Sequence, residues 1–231
     1  MSPRPADEAA ALLLALRFLT RLPVGGAVFT PARMAAATGY LPAAGMLIGL
    51  FAAAVFLAAR WLVPPGVALL LATAATCLLT GALHEDGLAD TADALGAPTA
   101  ERALEIMRDS RIGTHGALAL GLVLALRVTA LAAMPAALAA TALVAGHGAS
   151  RASAVLVVAT SRYVRPAGAG SFTTRGLAPR RLALGAALGL AAGHASRLAW
   201  ERKLGGYTGD TLGATQQLSE TALALGMLAC L

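Results

Sequence analysis

The sequence predicts an all-α, polytopic membrane protein: a helical bundle of about five to seven membrane segments with an acidic helical hairpin on its cytoplasmic side. Three observations predict this fold class. Of 231 residues, 58% are hydrophobic and only 13% are charged, and the mean hydropathy is +0.71, which is unusual for a soluble domain. Uncharged windows long enough for a spanning helix occupy residues 34–59, 61–83 and 128–150. Between the apolar parts, residues 84–115 hold seven of the twelve carboxylates.

The N-terminal third of the chain is predicted to form an entry helix and two spans. Residues 1–33 carry four arginines, which favours a surface-lying helix on the cytoplasmic side over a cleaved signal peptide. The first span is predicted over 40–59, where Gly45 and Gly49 allow close helix packing. The second span, 67–83, returns to the cytoplasmic side, so the acidic stretch begins at the inner end of a span.

Two further spans are predicted over 116–134 and 136–160, and the positive-inside rule places the basic loop that follows on the side of the acidic stretch. Arg127 lies near a span centre, where a charge costs about 2.5–3.5 kcal/mol on insertion scales. It either faces the bundle interior or snorkels from a shifted helix. A last span is predicted over 182–200. A full crossing there would put Asp210 on the side away from the acids, whereas a re-entrant or surface-lying helix would not.

Composition also excludes some functions. The formal net charge is +6, but the basic residues are not clustered with aromatic ones, so we expect no binding to nucleic acid. Cys77 and Cys230 stand in apolar segments without metal-ligand spacing. No long linker or internal repeat divides the chain, and residues 1–231 are predicted to form a single domain.

The acidic stretch contains two series of carboxylates at helical spacing. The first is Asp86, Asp90 and Asp93, and the second is Glu101, Glu105 and Asp109. Each series projects from one face of a helix, and a break at 96–98 separates the two helices. If the two faces oppose each other, their carboxylates repel unless cations lie between them. Carboxylate oxygens suit Mg²⁺ or Mn²⁺, so the stretch predicts a metal site.

Arginines in the same stretch indicate phosphate binding. Arg108 and Arg111 lie one turn apart, and the planar guanidinium binds phosphate oxygens with two hydrogen bonds. The alternative is a solvated hairpin held by ion pairs between neighbouring turns. A zinc-protease motif is excluded because Leu88 stands where the second histidine is required. For His115, three roles stay open: a general base, a phosphate contact or an ordinary helix-end residue.

These residues resemble the cobalamin synthase family (adenosylcobinamide-GDP ribazoletransferase), membrane enzymes of bacteria and archaea. FLTRLPV at 18–24 is similar to the opening of the family, HEDGLADTADAL at 84–95 to its acidic motif, and EIMRDSRIGTHG at 105–116 to its second block. Ser150-Arg151 and LGGYTGDTLGA at 204–214 resemble two later blocks.

The resemblance implies a reaction and roles for named residues. A ribose hydroxyl of α-ribazole, or of its 5′-phosphate, attacks the cobinamide-side phosphorus of adenosylcobinamide-GDP and GMP is released, in the last steps of cobalamin nucleotide-loop assembly. The implied cofactor is Mg²⁺, with Mn²⁺ as the alternative, and the implied ligands are Asp86, Asp90, Asp93, Glu105 and Glu85. The implied substrate-binding residues are Arg108, Arg111, Arg127, Arg151 and Asp210. The implied catalytic residues are Asp109 as first choice of base, His115 as second, and Arg108 and Arg111.

The resemblance also implies a location and leaves alternatives. It places the chain as a multi-pass protein in the lipid bilayer of the bacterial cytoplasmic (inner) membrane, with the active site facing the cytoplasm. It leaves open a homo-oligomer or a complex with other corrinoid-pathway enzymes. A transporter using the same acids would need them near the membrane midplane. An inactive scaffold of a cobamide-assembly complex is the other alternative, because 182–200 offers one apolar segment where the family has room for two.

Overall fold

The structure is a computed structural model that describes residues 5–23, 25, 30–165, 194–229 and 231. In this part of the chain it contains helices, turns and one isolated bridge, which confirms the predicted all-α class. The helices are α1 (Pro5–Leu19), α2 (Pro31–Thr38), α3 (Leu41–Ala59), α4 (Pro65–Thr80), α5 (Leu83–Asp93), α6 (Ala100–Ile106), α7 (Thr114–Ala132), α8 (Ala136–Thr160), α9 (194–204) and α10 (Gly209–Ala229). A 3₁₀ turn, Ala94–Gly96, follows α5.

The apolar helices form the membrane part of the bundle. Among the described residues, α3, α7 and α8 are long and apolar enough to cross a membrane, and α4 taken together with the acidic helix would make a fourth span. The spans predicted over 40–59, 67–83, 116–134 and 136–160 correspond to α3, α4, α7 and α8. Most of the span predicted over 182–200 lies outside the described residues.

Among the described helices, α3 and α8 have the most extensive contact, and small residues make it possible. A Cβ atom added at Gly45 would lie 2.3 Å from the backbone oxygen of His147, and one at Gly49 would lie 2.6 Å from that of Leu143. Both distances are shorter than any real contact of a Cβ atom. The predicted role of these two glycines in close packing is therefore confirmed.

A sharp turn directs the acidic helix away from the span before it. Gly81 ends α4 with φ of 71°, and Ala82 follows with φ of 55°. Two successive left-handed residues break the helix, so α4 and the helical segment after it are bent by 93°. The left-handed conformation costs roughly 1–2 kcal/mol for a residue with a Cβ atom. The chain bears this strain at Ala82, and α5 consequently runs at a steep angle to α4 and does not continue it.

The two acidic helices have different main packing partners. Helix α5 packs against α10 and α7, whereas α6 packs on the 3₁₀ turn that follows α5. The core beneath α6 is apolar and includes Ala103, Met107 and Leu204. Lys203 fastens α9 to the same turn, because its Nζ donates to the backbone oxygens of Leu95 (2.8 Å) and Ala97 (2.7 Å).

The segment before α10 lies beside the segment after α8. The N–H of Tyr207 donates to the oxygen of Arg162 (2.8 Å), and the N–H of Val164 donates to the oxygen of Tyr207 (3.1 Å). Asp210 follows directly and pairs with Arg165. Of the two alternatives left open by the sequence, the one that separates Asp210 from the acids is excluded, since Asp210 lies in the first turn of α10, at the end of the bundle that carries α5.

This arrangement predicts which sites share one side of the membrane. Gly96→Cys and Gly209→Cys, both exposed with open space around the Cβ position, should react from the same side with a membrane-impermeant maleimide in oriented vesicles. Leu62→Cys, in the turn between α3 and α4, should react only from the other side. The native cysteines are replaced by alanine in all three variants. Labelling of Gly209→Cys together with Leu62→Cys would contradict the fold.

Candidate active site

The three aspartates of the first series lie on one helix, as predicted. Helix α5 carries Asp86, Asp90 and Asp93 at intervals of four and three residues, which places them on one face. Asp86 is exposed, and the other two are half-buried. The row spans about 10 Å along the helix, at 1.5 Å per residue.

Asp210 joins this row because α10 crosses α5 at a pair of glycines. A Cβ atom added at Gly87 would lie 2.8 Å from the backbone oxygen of Asp210 and 3.2 Å from the Cα of Gly213. Gly87 sits between Asp86 and Asp90, so the crossing brings a fourth carboxylate to the middle of the row. Burial, followed by the charges of Asp86 and Asp210, raises the pKa of Asp90 to about 7.

Asp93 has a different local role from the other two aspartates. Its Oδ2 accepts from the N–H of Gly113 (2.7 Å) and its Oδ1 from the N–H of Gly116 (2.8 Å). These N–H groups belong to the start of α7, where a carboxylate is favoured by the helix dipole. Asp93 therefore fixes the end of the second sequence block against α5.

Glu85, predicted as a metal ligand, is not in the row. Its side chain is buried at 8% exposure, and its Oε1 accepts from Nε2 of Gln217 on α10 (2.9 Å). Neighbouring residues on a helix point about 100° apart, so the side chains of Glu85 and Asp86 lie in different environments. The structure does not bring Glu85 together with the other predicted ligands.

Two members of the second acidic series, Glu105 and Asp109, line an open basin at the far end of α5. The basin has a volume of about 610 Å³. It is lined by Asp93, Arg102, Glu105, Ile106, Arg108, Asp109, Arg111, Gly113, Thr114 and His115. Glu105 is exposed and accepts from Nη1 of Arg102 at 2.6 Å, so this predicted metal ligand is engaged in an ion pair. Three arginines around one concave surface form a site suited to phosphate groups.

Asp109 is held by Arg111. Nη2 of Arg111 donates to Oδ2 of Asp109 (2.6 Å), and its Nε donates to Oδ1 (3.0 Å). These hydrogen bonds lower the pKa of Asp109 to about 2. A carboxylate in this state is a weak proton acceptor, so Asp109 can act as a base only after Arg111 has moved to another anion. His115 and Arg108 are exposed in the same basin.

A buried ionic network crosses the interior of the bundle. Arg127 on α7 donates through Nη1 to Oε1 of Gln217 (2.9 Å) and pairs with Oε1 of Glu220 (3.1 Å). The other oxygen of Glu220 lies 3.4 Å from Nδ1 of His147 and 3.9 Å from Nη1 of Arg151, both on α8. The interior-facing interpretation of Arg127 is therefore confirmed, and the snorkelling one is wrong.

Sequence reasoning missed one member of each of two ion pairs, Glu220 in the buried network and Arg165 beside the aspartate row. Glu220 is 4% exposed, and Arg165 pairs with Asp210 at the edge of the row. The detectable signal for Glu220 was a polar stripe in an otherwise apolar C-terminal helix, formed by Gln216, Gln217 and Glu220 at helical spacing. A carboxylate in such a place needs a buried cation.

The carboxylates fit a metal that takes further ligands from a substrate. Among the described residues, no group of three or more His, Cys, Asp or Glu side chains is arranged to hold a metal ion by itself. Asp86 and Asp90 nevertheless present hard oxygen donors beside Asp210. The pKa of Asp90 is raised first by burial and then by the negative charges of Asp86 and Asp210, and a bound cation would offset those charges. Mg²⁺ characteristically uses one or two carboxylates and completes its shell with water and phosphate oxygens.

Comparison with known proteins now adds to this geometry. The family described as cobalamin-5-phosphate synthase matches residues 11–228. The chain belongs to the cobalamin-5-phosphate synthase family. The resemblance drawn from the sequence blocks is therefore confirmed. No solved structure matches the chain.

Curated relatives of the chain carry one enzyme name, adenosylcobinamide-GDP ribazoletransferase. The relative from Bradyrhizobium diazoefficiens is 44% identical, over 93% of this chain and 91% of its own length. The one from Ralstonia nicotianae is 40% identical, over 94% of both chains. The one from Shewanella frigidimarina is 39% identical, over 94% of this chain and 93% of its own. The similarity thus includes the acidic row, the basin and α10.

The glycine crossing between α5 and α10 generates a prediction. Gly87→Ala forces a methyl group against backbone atoms of Asp210 and Gly213 that cannot rotate away, so it should destabilise the protein by roughly 1–3 kcal/mol, the usual cost of overpacking. The measurement is the thermal unfolding midpoint in detergent. Gly121→Ala on α7, with no heavy atom within 4 Å of the added carbon, should leave the midpoint unchanged or raise it. Equal midpoints for both variants would contradict the close crossing.

Proposed function

We propose that this chain transfers the cobinamide-phosphate group of adenosylcobinamide-GDP to a ribose hydroxyl of α-ribazole or its 5′-phosphate. The new bond joins the ribose oxygen to the cobinamide-side phosphorus, the bond from that phosphorus to the GMP oxygen breaks, and the hydroxyl proton passes to a base. The observation that carries the proposal is the position of the aspartate row, which runs into a basin lined by three arginines. Family membership and the name of the relatives support it.

Asp86 and Asp90 are the residues proposed to hold Mg²⁺, or Mn²⁺ in its place. When bound, the metal would neutralise charge on the diphosphate and on the leaving GMP. Asp210 lies against the row and adds its negative charge to that of the aspartates. Arg165 forms an ion pair with Asp210 and so holds it in position. Asp93 has both oxygens on backbone N–H groups, so its proposed contribution is to hold the basin edge. Glu85 is buried beside Gln217 and is left out of the proposed set.

Arg108 and Arg111 are proposed to bind the non-bridging phosphate oxygens. Both side chains are exposed in the basin, so a diphosphate can reach them without any unfolding. Arg111 is paired with Asp109 at present, and a phosphate group carrying more charge would compete for the same guanidinium. The release of Asp109 would then raise its pKa toward the ordinary value of about 3.9.

The proton acceptor is proposed to come from the same end of the site. Asp109 is freed by the movement of Arg111, and His115 offers an imidazole, the most common general base in enzymes. Both residues line the basin with Asp93. Arg127 is paired within the buried network, so its contribution to substrate binding is proposed to be indirect, through the positions of α7 and α10. Arg151 belongs to the same network and also lines a cavity beside Asp86.

The proposed location is the bacterial cytoplasmic membrane, with the site on the cytoplasmic face. Exposed Arg108 and Arg111 in the basin and Arg162 after α8 lie at the bundle end that carries α5, and the positive-inside rule favours that orientation. A transporter is not favoured, because the charges inside the bundle pair with one another. The inactive scaffold differs from the proposal in one measurable respect: it would bind metal without releasing GMP.

The proposal is tested by substitution of the row. The purified protein, supplied with adenosylcobinamide-GDP, α-ribazole and Mg²⁺, should release GMP, and EDTA should stop the release until Mg²⁺ is restored. Asp86→Asn and Asp90→Asn should each lower the rate by roughly 100-fold or more, in the range found when one charge-stabilising group is removed. Glu101→Gln, at an exposed position on α6, is the matched control and should retain full activity.

Two outcomes would contradict this assignment. Full turnover in both asparagine variants would remove the proposed site. If all three variants lost activity to the same extent and all three had a lowered thermal unfolding midpoint, the substitutions would act through folding.

A further inference from the structure

A second concave surface lies at the opposite end of α5 from the basin. It is a cavity of about 200 Å³ enclosed by α1, α3, α5, α8 and α10. Asp86 and Asp210 lie in its wall, so the aspartate row begins at this cavity and ends, at Asp93, in the basin. Neither the family description nor the names of the relatives assign an occupant to it.

The wall of the cavity differs in chemistry from the basin. Most of it is aliphatic or aromatic, with Phe18 and Leu19 from α1, Leu41 from α3, and Val155 and Val158 from α8. Apolar surface of this kind binds an uncharged, apolar group by the hydrophobic effect. The basin, by contrast, is lined by three arginines and is wide open to polar ligands.

Polar side chains, among them His84, Arg151 and Arg165, give the apolar wall a means of orienting a ligand. His84 and Arg151 both line the cavity, at 9% and 3% exposure. Nε of Arg151 has no hydrogen-bond partner among the described residues. A few polar groups in a mainly apolar pocket are the usual arrangement in sites that bind one small aromatic ligand in a fixed orientation.

The geometry of the reaction links the two surfaces. In a displacement at phosphorus, the attacking and leaving oxygens lie roughly in line on opposite sides of the phosphorus atom. With the nucleotide leaving group in the arginine basin, the attacking nucleoside has to approach from the other end of the row. The cavity is at that end. Its volume is too small for a corrinoid ring system. The guanine base belongs to the leaving group on the basin side, so the aromatic base of the acceptor is the ring placed to enter the cavity.

We propose that this cavity binds the aromatic base of the nucleoside acceptor. The ribose hydroxyl of the acceptor would then face the phosphorus of a diphosphate bound beside Asp86 and Asp90. The inference rests on the proposed transfer reaction and adds the location of the second substrate. It makes the residues around the cavity determinants of base specificity. Residues that line only the basin then have no influence on which base is accepted.

The test fills the cavity and measures each substrate separately. Ala154 on α8 lines it, and Ala154→Phe should raise KM for α-ribazole about tenfold or more, the scale of discrimination by a pocket of altered size. KM for adenosylcobinamide-GDP should change less than about twofold. Ala159→Phe, at an exposed position on the same helix, is the matched control and should leave both constants unchanged.

A second variant shifts specificity in the opposite direction. Val158→Ala enlarges the cavity and should raise kcat/KM for ribosides of bases bulkier than a benzimidazole, relative to α-ribazole. Ala154→Phe should instead favour a riboside of monocyclic imidazole. A general effect on folding would change all acceptors alike, so this reversal of preference identifies the site even if one variant is poorly stable.

The outcomes separate this inference from the proposed function. If the unmodified protein releases no GMP from any acceptor, the transfer reaction itself is wrong. If it releases GMP but neither variant changes the order of acceptor preference, the cavity does not bind the base. An activity loss in Ala154→Phe that is equal for every acceptor would likewise overturn the inference, as expected for a cavity filled by a lipid chain.

Discussion

The bundle depends on the burial of Glu220 among cationic side chains. Arg127 and Arg151 come from two helices that face the apolar interior, where an unpaired charge costs several kcal/mol. Glu220 pairs with both, and Gln217 beside it reaches Glu85 on the acidic helix. Glu220 thus offsets part of the buried positive charge, and Glu85 accepts a hydrogen bond from a member of the same network. Because these residues belong to α5, α7, α8 and α10, the network joins these four helices.

That arrangement also determines where the chemistry can occur. With its middle fixed by Glu220, α10 begins at the end of the bundle and crosses α5 where Gly87 meets Gly213. Asp210 is thereby placed against the aspartate row, although it is more than a hundred residues from it in sequence. The row connects an apolar cavity to an arginine-lined basin. In a displacement at phosphorus, the attacking group would then approach from the cavity and the leaving group would depart into the basin.

Local patterns in the sequence predicted the parts of this structure that depend on one helix. Hydropathy located α3, α4, α7 and α8, and residue spacing placed Asp86, Asp90 and Asp93 on one face. Periodicity describes one helix and not its packing partner, so it could not show that α6 packs on the 3₁₀ turn after α5. Glu85 was assigned with Asp86 although adjacent helical residues point about 100° apart.

Long-range pairs could not be predicted from one sequence. The ion pair between Arg127 and Glu220 and that between Arg165 and Asp210 join residues far apart in the chain. An arginine within a span predicts that an acidic partner exists, but the sequence does not show which of several carboxylates forms the ion pair. From the sequence alone, the side of the membrane on which Asp210 lies depended on the unknown path of 182–200. In the structure, the contacts of Tyr207 and Gly87 show that Asp210 lies beside α5.

The most direct test asks whether metal and phosphate meet at the row. The wild-type protein would be loaded with Mn²⁺ and adenosylcobinamide-GDP, without acceptor, and examined by electron–nuclear double resonance at the ³¹P frequency. The account predicts a ³¹P hyperfine coupling typical of a phosphate oxygen bound directly to Mn²⁺. Tight Mn²⁺ binding with no ³¹P coupling, or no bound Mn²⁺ at all, would contradict it.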